Sequence, residues 1–432
     1  MKNNFPHRVH FVGIGGIGMS ALAKHLVNAG CEVSGSDKNE NEQTQQLRQM
    51  GVAVTVPHNA QCVKGAQLVV RTSAVLPTNE EVVFALSQGI PVVLREQLLG
   101  QIFDSFPTRI AVCGTHGKTT VTAMIHHVLE RCGISHTAFI GGEYQNSNYF
   151  FGENVVVAEA CEYNRGFLQL HPTLCLCLNV EWDHPDCYKN KNDAQRAFAK
   201  FFAQSEQVLL PKSLQRLCKT ADTWDDLRAR NVVVKNGCAC FELLERGKTV
   251  FFCKLKVRGR HNVRNALAAL SVAKKLGLPL LQAAQSLCSF LGVDRRWTEQ
   301  NCVFPVVCDY AHHPTEISAA VQTAKEVCKG RVFCVFQPHT FSRTKALFNG
   351  FLRCFCGADT VIFLPTYAAR EKPCQGATSF QLFKSAKAQG TNAKYFASFA
   401  RAAQFLKKHA KATDLVLLVG AGDVNKLAEF LK

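Results

Sequence analysis

Short apolar runs alternate with segments of helical spacing along most of the chain. Strand-like runs lie at residues 8–12, 32–37, 66–71, 91–94, 109–113, 154–159, 174–178, 306–310, 332–336, 360–364 and 414–419. Such runs are typical of strands buried in a parallel sheet, and helical spacing between them is typical of crossover helices. The pattern predicts an α/β protein, with a β-hairpin over residues 238–257.

Two breaks divide this alternation into three parts. Pro107 follows the first βα region, and a polar link at residues 292–297 leads into the last. The chain has 432 residues, which is enough for two or three cores, since single domains usually span roughly 100–200 residues. We therefore predict three domains, at residues 1–107, 108–294 and 295–432.

Residues 109–129 form the central stretch of the chain. A strand-like run meets Gly114 and Gly117, and a helical pattern begins at once with Lys118. A strand, a glycine loop and a helix N-terminus in this order form a phosphate cradle, because backbone N–H groups point at the anion. Lys118 can neutralise β/γ-phosphate charge, and the Thr119 hydroxyl can ligate Mg²⁺.

The spacing of this loop differs from the common G-x-x-x-x-G-K-[ST] pattern, since the loop is anchored at Gly114 rather than at Val112. A glycine-rich strand-to-helix turn with a solvated lysine is the alternative interpretation. The shortened pattern favours a phosphate loop, and ATP is the expected ligand. The predicted contacts are Gly114, Thr115, His116, Gly117, Lys118, Thr119 and Thr120.

A second glycine-rich loop follows the first strand. Its glycines are Gly13, Gly15, Gly16 and Gly18, and Asp37 stands at the end of the second strand. A G-x-G-x-x-G pattern with an acid about 20 residues further on is typical of NAD binding. A nucleoside-diphosphate sugar fits equally well, because it also offers a diphosphate and a hydroxyl-bearing group. These residues alone leave both ligands open.

Acidic and imidazole groups follow two strands of the central region. Glu159 ends one strand, and His184 lies shortly after another. Ligands bind at the carboxyl edge of parallel sheets, so these side chains are candidate Mg²⁺ ligands together with Thr119. Glu162 competes with Glu159 for this role. A loop histidine hydrogen-bonded to its neighbours is the alternative for His184.

Polar residues also gather at helix starts and strand ends further along the chain. Asn262 and Asn265 begin a helical stripe, where they either read an adenine edge or cap the helix. His312, His313 and Arg343 follow strands of the last region. We do not expect core histidines there, because loops after strands face solvent or a cleft.

Charge and hydropathy exclude several classes of function. The chain has 50 Lys and Arg against 33 Asp and Glu, a formal charge of +17. These residues form no arm, tail or aromatic-interleaved patch, so we expect a polyanionic small-molecule substrate and no nucleic acid. The absence of a long apolar run and of a signal-peptide core predicts a cytoplasmic protein without membrane insertion.

The chain contains 20 cysteines, many of them within apolar segments. Reduced cysteine behaves as a small hydrophobe in such places. Two C-x-C pairs, Cys238 with Cys240 and Cys354 with Cys356, lack a C-x-x-C partner and a nearby histidine set. Reduced thiols are therefore favoured over a zinc site.

Ten segments together resemble the ATP-dependent Mur ligases of peptidoglycan synthesis, in the order of that family and along nearly the whole chain. They are HFVGIGGIGMSALA at 10–23, SGSD at 34–37, GTHGKTTVTAMI at 114–125, EACEYNRGFL at 159–168, NVEWDHPD at 179–186, GRHNVRNALAAL at 259–270, DRRW at 294–297, DYAHHPTEI at 309–317, FQPHTFSRT at 336–344 and VGAGD at 419–423.

The resemblance implies an N-terminal Rossmann-like domain for a UDP-sugar, a central P-loop ATPase with a mostly parallel sheet, and a C-terminal Rossmann-like domain that brings an amino acid. It selects a UDP-muramate site over NAD at the first glycine loop. The implied sugar contacts are Gly13, Gly15, Gly16, Gly18, Ser36, Asp37, Thr72 and Ser73.

The resemblance also implies roles for the remaining candidates. The implied ATP and Mg²⁺ contacts are Lys118, Thr119, Glu159, His184, Asn262 and Asn265. Arg296 would contact the transferring phosphoryl group, and Arg343 would face the substrate carboxylates. His312 or His313 would line the junction with the third domain and help to deprotonate an amine.

The implied activity joins L-alanine to the lactyl carboxylate of UDP-N-acetylmuramate through an acyl phosphate made from ATP. Because acyl phosphates hydrolyse in water, we expect the domains to close around this intermediate, in a monomer or weak homodimer. Two other hypotheses are open: a muropeptide-recycling ligase that adds a tripeptide to the same sugar, and an NAD-dependent oxidoreductase based on the first loop alone.

Two positions differ from the usual pattern of the family. EACEYNR at 159–165 stands where many members have EADESD, which removes two acids near the metal. Thr340 stands where many members have a second arginine. Recognition of the alanine carboxylate would therefore depend more on Arg343 or on Arg370.

Overall fold

The computed structural model describes residues 5–369, 371–372, 376 and 378–432. Arg370, a predicted substrate contact, lies outside these residues. Packing divides the chain into two compact units. The first unit consists of Met1–Asn179 and Arg196–Thr223, and the second consists of Val180–Gln195 and Trp224–Lys432.

The first unit begins with a five-stranded parallel sheet in the order β3-β2-β1-β4-β5. Its strands are β1 (Arg8–Val12), β2 (Glu32–Ser36), β3 (Ala53–Thr55), β4 (Leu68–Arg71) and β5 (Val92–Leu94). The helices are α1 (Ile17–Asn28), α2 (Glu42–Gln49), α3 (Glu80–Ser87) and α4 (Arg95–Asp104). The strand order reverses beside β1, where sheets of this kind bind ligands. This topology confirms the predicted Rossmann-like fold of the N-terminal region.

A seven-stranded sheet completes the first unit in the order β12-β11-β10-β6-β9-β7-β8. Its strands are β6 (Thr108–Cys113), β7 (His136–Tyr144), β8 (Ser147–Phe150), β9 (Val155–Glu159), β10 (Leu174–Cys177), β11 (Gln207–Leu210) and β12 (Asp222–Thr223). Its helices are α5 (Lys118–Arg131) and α6 (Lys191–Ala203). Only the β7–β8 pair is antiparallel among its described pairings, as predicted for a mostly parallel sheet. The loop after β6 therefore emerges between the ends of β9 and β10.

The second unit contains a three-stranded antiparallel sheet formed by β13 (Leu227–Lys235), β14 (Cys238–Glu245) and β15 (Lys248–Arg258). The last two strands are the predicted hairpin, and β13 was not predicted. Helices α7 (His261–Lys275) and α8 (Leu280–Leu287) follow.

A six-stranded sheet follows in the order β16-β17-β21-β18-β19-β20, parallel except for β16. The strands are β16 (Thr298–Gln300), β17 (Val306–Asp309), β18 (Val332–Phe336), β19 (Thr360–Phe363), β20 (Ala393–Tyr395) and β21 (Leu415–Val419). The helices are α9 (Pro314–Val327), α10 (Phe341–Ala346), α11 (Phe348–Phe351), α12 (Ser379–Ala388) and α13 (Phe399–His409). Short 3-10 helices lie at Ala60–Val63, Tyr163–Gln169, Lys212–Leu217, Trp224–Asp226 and Val424–Leu431.

Strand β18 shows why these runs are apolar at every position. Cys334 and Phe336 pack into the core on one face of the sheet, whereas Phe333 and Val335 pack into the core on the other. Both faces are covered, so alternation of polar residues is lost. None of the cysteines in the described ranges forms a disulfide.

No helix within the described residues has the length and apolar character needed to cross a membrane.

Two buried histidines, His126 of α5 and His136 of β7, are in contact. His126 Nδ1 lies 2.7 Å from His136 Nε2, and the His126 ring stacks on Phe150 with centroids 3.8 Å apart. Burial, and secondarily His136, lowers the pKa of His126 from 6.5 to about 3. A histidine whose pKa is lowered by folding stabilises the protein above its unfolded pKa, and this contribution is lost as the pH falls toward the folded value.

Replacing His126 with Phe should therefore weaken the acid-induced loss of stability. Between pH 6.5 and about 3, the unfolding free energy of the variant should fall less steeply than that of wild type, by up to ~1.4 kcal/mol per pH unit. Urea unfolding at a series of pH values measures the slope. His7→Phe, at an exposed position, is the matched control. Equal slopes for wild type and His126→Phe would contradict the prediction.

Candidate functional site

The loop after β6 has the predicted strand-loop-helix geometry. Gly114 has φ 138° and Gly117 has φ 84°, both in the left-handed region that favours glycine. Gly117 is also the residue that precedes the first turn of α5. A Cβ atom on Gly114 would lie 3.1 Å from the Asn179 carbonyl oxygen. The loop therefore needs glycine at both positions.

Asn179, just after β10, holds this loop in place. Its Oδ1 accepts a hydrogen bond from the His116 N–H at 2.8 Å, and its Nδ2 donates to the His116 carbonyl at 3.0 Å. The Asn179 carbonyl accepts from the Thr115 N–H at 3.3 Å. This role of Asn179 was not predicted from the sequence. The sequence signal that could have indicated it is an amide residue just after a strand that neighbours β6.

Lys118 is the cation of the loop, and it is mostly buried. Its Nζ donates to the carbonyl oxygens of Gly114 at 2.6 Å and Thr115 at 3.3 Å, and to Glu162 Oε2 at 2.8 Å. Burial works to lower the pKa of Lys118, but the Glu162 carboxylate raises it above its usual value. The ammonium is therefore charged at neutral pH. Glu162, the alternative metal ligand, pairs here with the lysine.

Two of the predicted metal ligands are in contact. Thr119 Oγ1, in the first turn of α5, donates to Glu159 Oε1 at the end of β9, at 2.6 Å. Hydroxyl and carboxylate oxygens are the ligands that Mg²⁺ prefers. This pair fits a magnesium ion placed beside a phosphate bound in the loop. Thr120, a further predicted contact, lies in the same first turn.

The first glycine loop brings together the predicted sugar contacts at the ends of β1, β2 and β4. Gly13, with φ 87°, and Ile14 both donate their N–H groups to the Ser36 carbonyl, at 2.8 and 2.9 Å. Asp37 Oδ2 accepts from the Gly15 N–H at 2.9 Å. Gly16 and Gly18 lie at the start of α1. Thr72 and Ser73 follow β4, and Thr72 lies beside Gly13.

In the second unit, Arg343 forms a buried ion pair that sequence analysis did not predict. Its Nε and Nη2 donate to Asp183 Oδ1 and Oδ2 at 2.7 and 3.2 Å, and its Nη1 lies 3.0 Å from His339 Nδ1. Both side chains of the ion pair are 5 % exposed. Burial works to raise the pKa of Asp183, but the guanidinium holds it well below its usual range. The charge of Arg343 is therefore compensated in this structure.

His184 lies next to this ion pair. Its N–H donates to Asp183 Oδ1 at 2.7 Å, and its Nδ1 lies 3.4 Å from Arg343 Nη2. His184 belongs to the second unit, whereas Thr119 and Glu159 belong to the first. Its ligation of the same metal ion thus stays a prediction.

His312 and His313 follow β17 and are less exposed than expected, because both pack at the start of α9. His313 Nδ1 accepts from the Thr315 N–H at 3.3 Å, so its side chain caps α9. His313 is 5 % exposed, which corrects the expectation that no buried histidine would follow these strands. His312 Nδ1 donates to the Tyr310 carbonyl at 2.9 Å, and burial lowers the pKa of His312 to about 3.

Arg296 and Glu316 stand beside these histidines. The Arg296 guanidinium lies 5.1 Å from the centroid of the Tyr310 ring, and its Nη1 is 3.9 Å from Glu316 Oε1. Glu316 Oε2 also accepts from the His312 N–H at 3.0 Å. Arg296 keeps 27 % of its side chain exposed, so it is accessible to a ligand.

The two asparagines of α7 bond to each other and to the backbone. Asn265 Nδ2 donates to Asn262 Oδ1 at 2.8 Å, and Asn262 Nδ2 donates to the Arg258 carbonyl at 2.7 Å. Arg260, not Asn262, precedes the helix. The N-cap interpretation is therefore wrong for Asn262, and the adenine contact stays a prediction.

Thr340, which replaces an arginine of the usual family pattern, caps α10. Its Oγ1 accepts from the Arg343 N–H at 3.4 Å, and its own φ is 67°. Hydroxyl residues are favoured at this position of a helix. Thr340 thereby helps to fix the backbone that carries Arg343.

A phosphate loop at the centre of a mostly parallel sheet, with a lysine, a threonine and a carboxylate around it, defines a nucleotide-binding α/β protein. Three domain profiles match the chain: Mur ligase family, catalytic domain, at residues 8–107; Mur ligase middle domain at 112–273; and Mur ligase, glutamate ligase domain, at 295–422. The chain belongs to the Mur ligase family, and it has the three-domain architecture of that family.

Two ligases are similar to this chain over nearly the full length of both sequences. The UDP-N-acetylmuramate–L-alanine ligase of Clostridium novyi is 39% identical over 448 residues, which cover 99% of this chain and 98% of the relative. The ligase of the same name from Clostridium tetani is 37% identical, with 98% of each chain covered. Mur ligases are ATP-dependent and typically use Mg²⁺.

Solved structures share the fold. The UDP-N-acetylmuramate–alanine ligase of Thermotoga maritima has a TM-score of 0.83 at 31% identity, covering 98% of this chain and 97% of that chain. A murein peptide ligase of Psychrobacter arcticus has a TM-score of 0.74 at 23% identity, with 99% and 98% covered. At 23% identity, the likeness to the murein peptide ligase is one of fold alone.

Replacing Asp183 with Asn should destabilise the second unit, because Arg343 would lose its buried counter-ion. Breaking a buried ion pair costs about 3–5 kcal/mol, and we expect a loss of unfolding free energy of about 3 kcal/mol. Denaturant unfolding measures the loss. Asp186→Asn, at an exposed position of the same segment, is the matched control. A loss no larger than that of the control would contradict the assigned ion pair.

Proposed function

We propose that this protein is an ATP-dependent ligase that joins L-alanine to the lactyl carboxylate of UDP-N-acetylmuramate in peptidoglycan synthesis. The observation that carries the proposal is the similarity over 99% of the chain to ligases named for this reaction. The phosphate loop with Lys118, Thr119 and Glu159 supplies the chemistry that the reaction needs.

The reaction must first activate a carboxylate, which is a poor electrophile for an amine. The γ-phosphoryl group of ATP passes to the lactyl carboxylate, whose oxygen forms the new P–O bond while ADP leaves. The alanine amine then attacks the acyl carbon, and inorganic phosphate leaves with the carboxylate oxygen. Positioning and charge stabilisation are the main tasks of the protein in phosphoryl transfer.

The phosphate loop performs these tasks for ATP. The predicted nucleotide contacts are Gly114, Thr115, His116, Gly117, Lys118, Thr119, Thr120, Asn262 and Asn265. Lys118 exchanges Glu162 for the β/γ-phosphate oxygens, and Arg296 approaches the transferring group. Thr119 and Glu159, with His184, would hold Mg²⁺, which when bound neutralises charge on the β- and γ-phosphates.

The amino-acid side of the site uses residues of the second unit. Arg343 is the predicted contact of the alanine carboxylate, for which its guanidinium would exchange Asp183, and Arg370 is the second candidate. Neutral His312 carries its proton on Nδ1, so its Nε2 is an acceptor that can orient the alanine amine. With a pKa of about 3, His312 is too weak a base to hold the proton that the amine releases, so this proton passes to the departing phosphate, which is the stronger base. His313 supports this segment through its contact with α9.

The domain boundaries at residues 107/108 and 294/295 belong to the same proposal, and the three matched ranges support them. We further propose a cytoplasmic enzyme that acts as a monomer or weak homodimer. Its small-molecule partners are UDP-N-acetylmuramate, bound at the first glycine loop with Ser36, Asp37, Thr72 and Ser73, and L-alanine.

A phosphate-release assay tests this function. Release from ATP should require both UDP-N-acetylmuramate and alanine, and Lys118→Ala should slow it by about 100-fold or more, because a charge contact to the transferring group is lost. Lys219→Ala, at an exposed position, should be as fast as wild type. A Lys118→Ala enzyme with wild-type rate would remove the phosphate-loop assignment.

A tripeptide competition in this assay and a separate NADH absorbance measurement test the two alternative functions. A tripeptide that outcompetes alanine would assign the protein to muropeptide recycling. A spectral change of NADH without ATP consumption would assign an oxidoreductase. Alanine, serine and glycine in parallel reactions define the selectivity.

A further inference from the structure

A buried hydrogen-bond network lies beside the first glycine loop, within the first unit. Its centre is Glu81, in the first turn of α3, which is fully buried. Glu81 Oε2 accepts from Ser36 Oγ at 2.5 Å and lies 3.4 Å from His10 Nε2, and Oε1 accepts from the Asn59 N–H at 2.8 Å. Ser36 Oγ lies 2.7 Å from His58 Nδ1. Of these residues, only Ser36 is among the predicted sugar contacts.

The donor and acceptor inventory of these groups fixes the position of each proton. Burial works to raise the pKa of Glu81, but the hydrogen bonds from His10, Ser36 and Asn59 lower it overall. The carboxylate is therefore ionised and only accepts. Ser36 has a single hydroxyl proton, which it donates to Glu81. Its remaining lone pairs face His58, so His58 Nδ1 must be the donor.

His58 is consequently held in the tautomer with the proton on Nδ1 and a lone pair on Nε2. Among the described residues, Nε2 has no hydrogen-bond partner, and 20% of the His58 side chain is exposed. The network is also joined to the glycine loop, because the Ser36 carbonyl accepts the N–H groups of Gly13 and Ile14. An oriented acceptor is thus joined through Ser36 to the strand edge where the nucleotide sugar would bind.

We propose that His58 Nε2 accepts a hydrogen bond from a donor on the nucleoside of the UDP-sugar, and that Glu81 and Ser36 are positioning residues that hold His58 in the accepting tautomer. This inference rests on the proposed function. The donor is a group that uridine offers at its edge, either the uracil N3–H or a ribose hydroxyl, and suitable analogues distinguish the two.

Glu81→Gln reverses the direction of the hydrogen bonds that run from residue 81 through Ser36 to His58, and it changes the side-chain volume little. The new amide donates to Ser36 Oγ, so the Ser36 hydroxyl turns to donate to His58 Nδ1. The His58 proton then moves to Nε2, which no longer accepts. Glu80→Gln makes the same chemical change at an exposed neighbour in α3, and it is the matched control.

Calorimetry on the full chain measures binding of UDP, N3-methyl-UDP and 2′,3′-dideoxy-UDP. Wild type should bind one analogue about 10-fold more weakly than UDP, the cost of one lost hydrogen bond. His58→Ala and Glu81→Gln should bind UDP about 10-fold more weakly and no longer distinguish that analogue. Affinity for an ATP analogue should stay unchanged in all variants, which shows that each is folded. Glu80→Gln should behave as wild type.

A second readout reports the tautomer directly. Histidine ¹⁵N NMR, with His58 assigned from the spectrum of His58→Ala, should show the Nδ1–H form in wild type and the Nε2–H form in Glu81→Gln. An Nε2–H form in wild type would overturn the inference even if Glu81→Gln does not fold. Equal wild-type affinity for all three nucleotides would also overturn it. Wild type that binds no UDP would instead overturn the proposed function, and this inference with it.

Discussion

The buried ammonium of Lys118 is the interaction on which the centre of this molecule depends. An unpaired buried charge costs several kcal/mol, and here two loop carbonyls and Glu162 compensate it. The same contacts hold the loop in a shape that suits a phosphate. Under the proposed function, nucleotide binding is an exchange of acceptors at Lys118, in which phosphate oxygens replace Glu162, rather than the creation of a charged site from an apolar one.

Carboxylates also hold polar groups in place at two other predicted ligand sites. Asp183 compensates Arg343, and Glu81 accepts the hydrogen bond of the Ser36 hydroxyl, whose oxygen lies beside His58 Nδ1. The predicted substrates carry phosphates and carboxylates, so the protein needs cations and oriented dipoles that are present before the substrates arrive. Carboxylates pair with these groups and preserve their geometry, while the protein keeps a net positive charge. Preorganised charge of this kind is what phosphoryl transfer requires.

The features that could be predicted from the sequence are local. The phosphate loop joins β6 directly to α5, and the apolar runs mark strands such as β18 because both of their faces are buried. The ion pairs of the site could not be predicted, because Lys118 and Glu162 are 44 residues apart and Asp183 and Arg343 are 160 residues apart. Strand β13 was missed because Arg228, Arg230 and Asn231 interrupt its apolar pattern. The burial of His313 followed from its capping contact with α9, which a loop position does not reveal.

The most direct test of the central claim is a crystal structure of the protein with a non-hydrolysable ATP analogue and Mg²⁺. The β- and γ-phosphates should lie against the backbone N–H groups of residues 115–119, with Lys118 Nζ bonded to their oxygens and no longer to Glu162. A nucleotide bound elsewhere, with the Lys118–Glu162 pair intact and the central loop unchanged, would contradict the account.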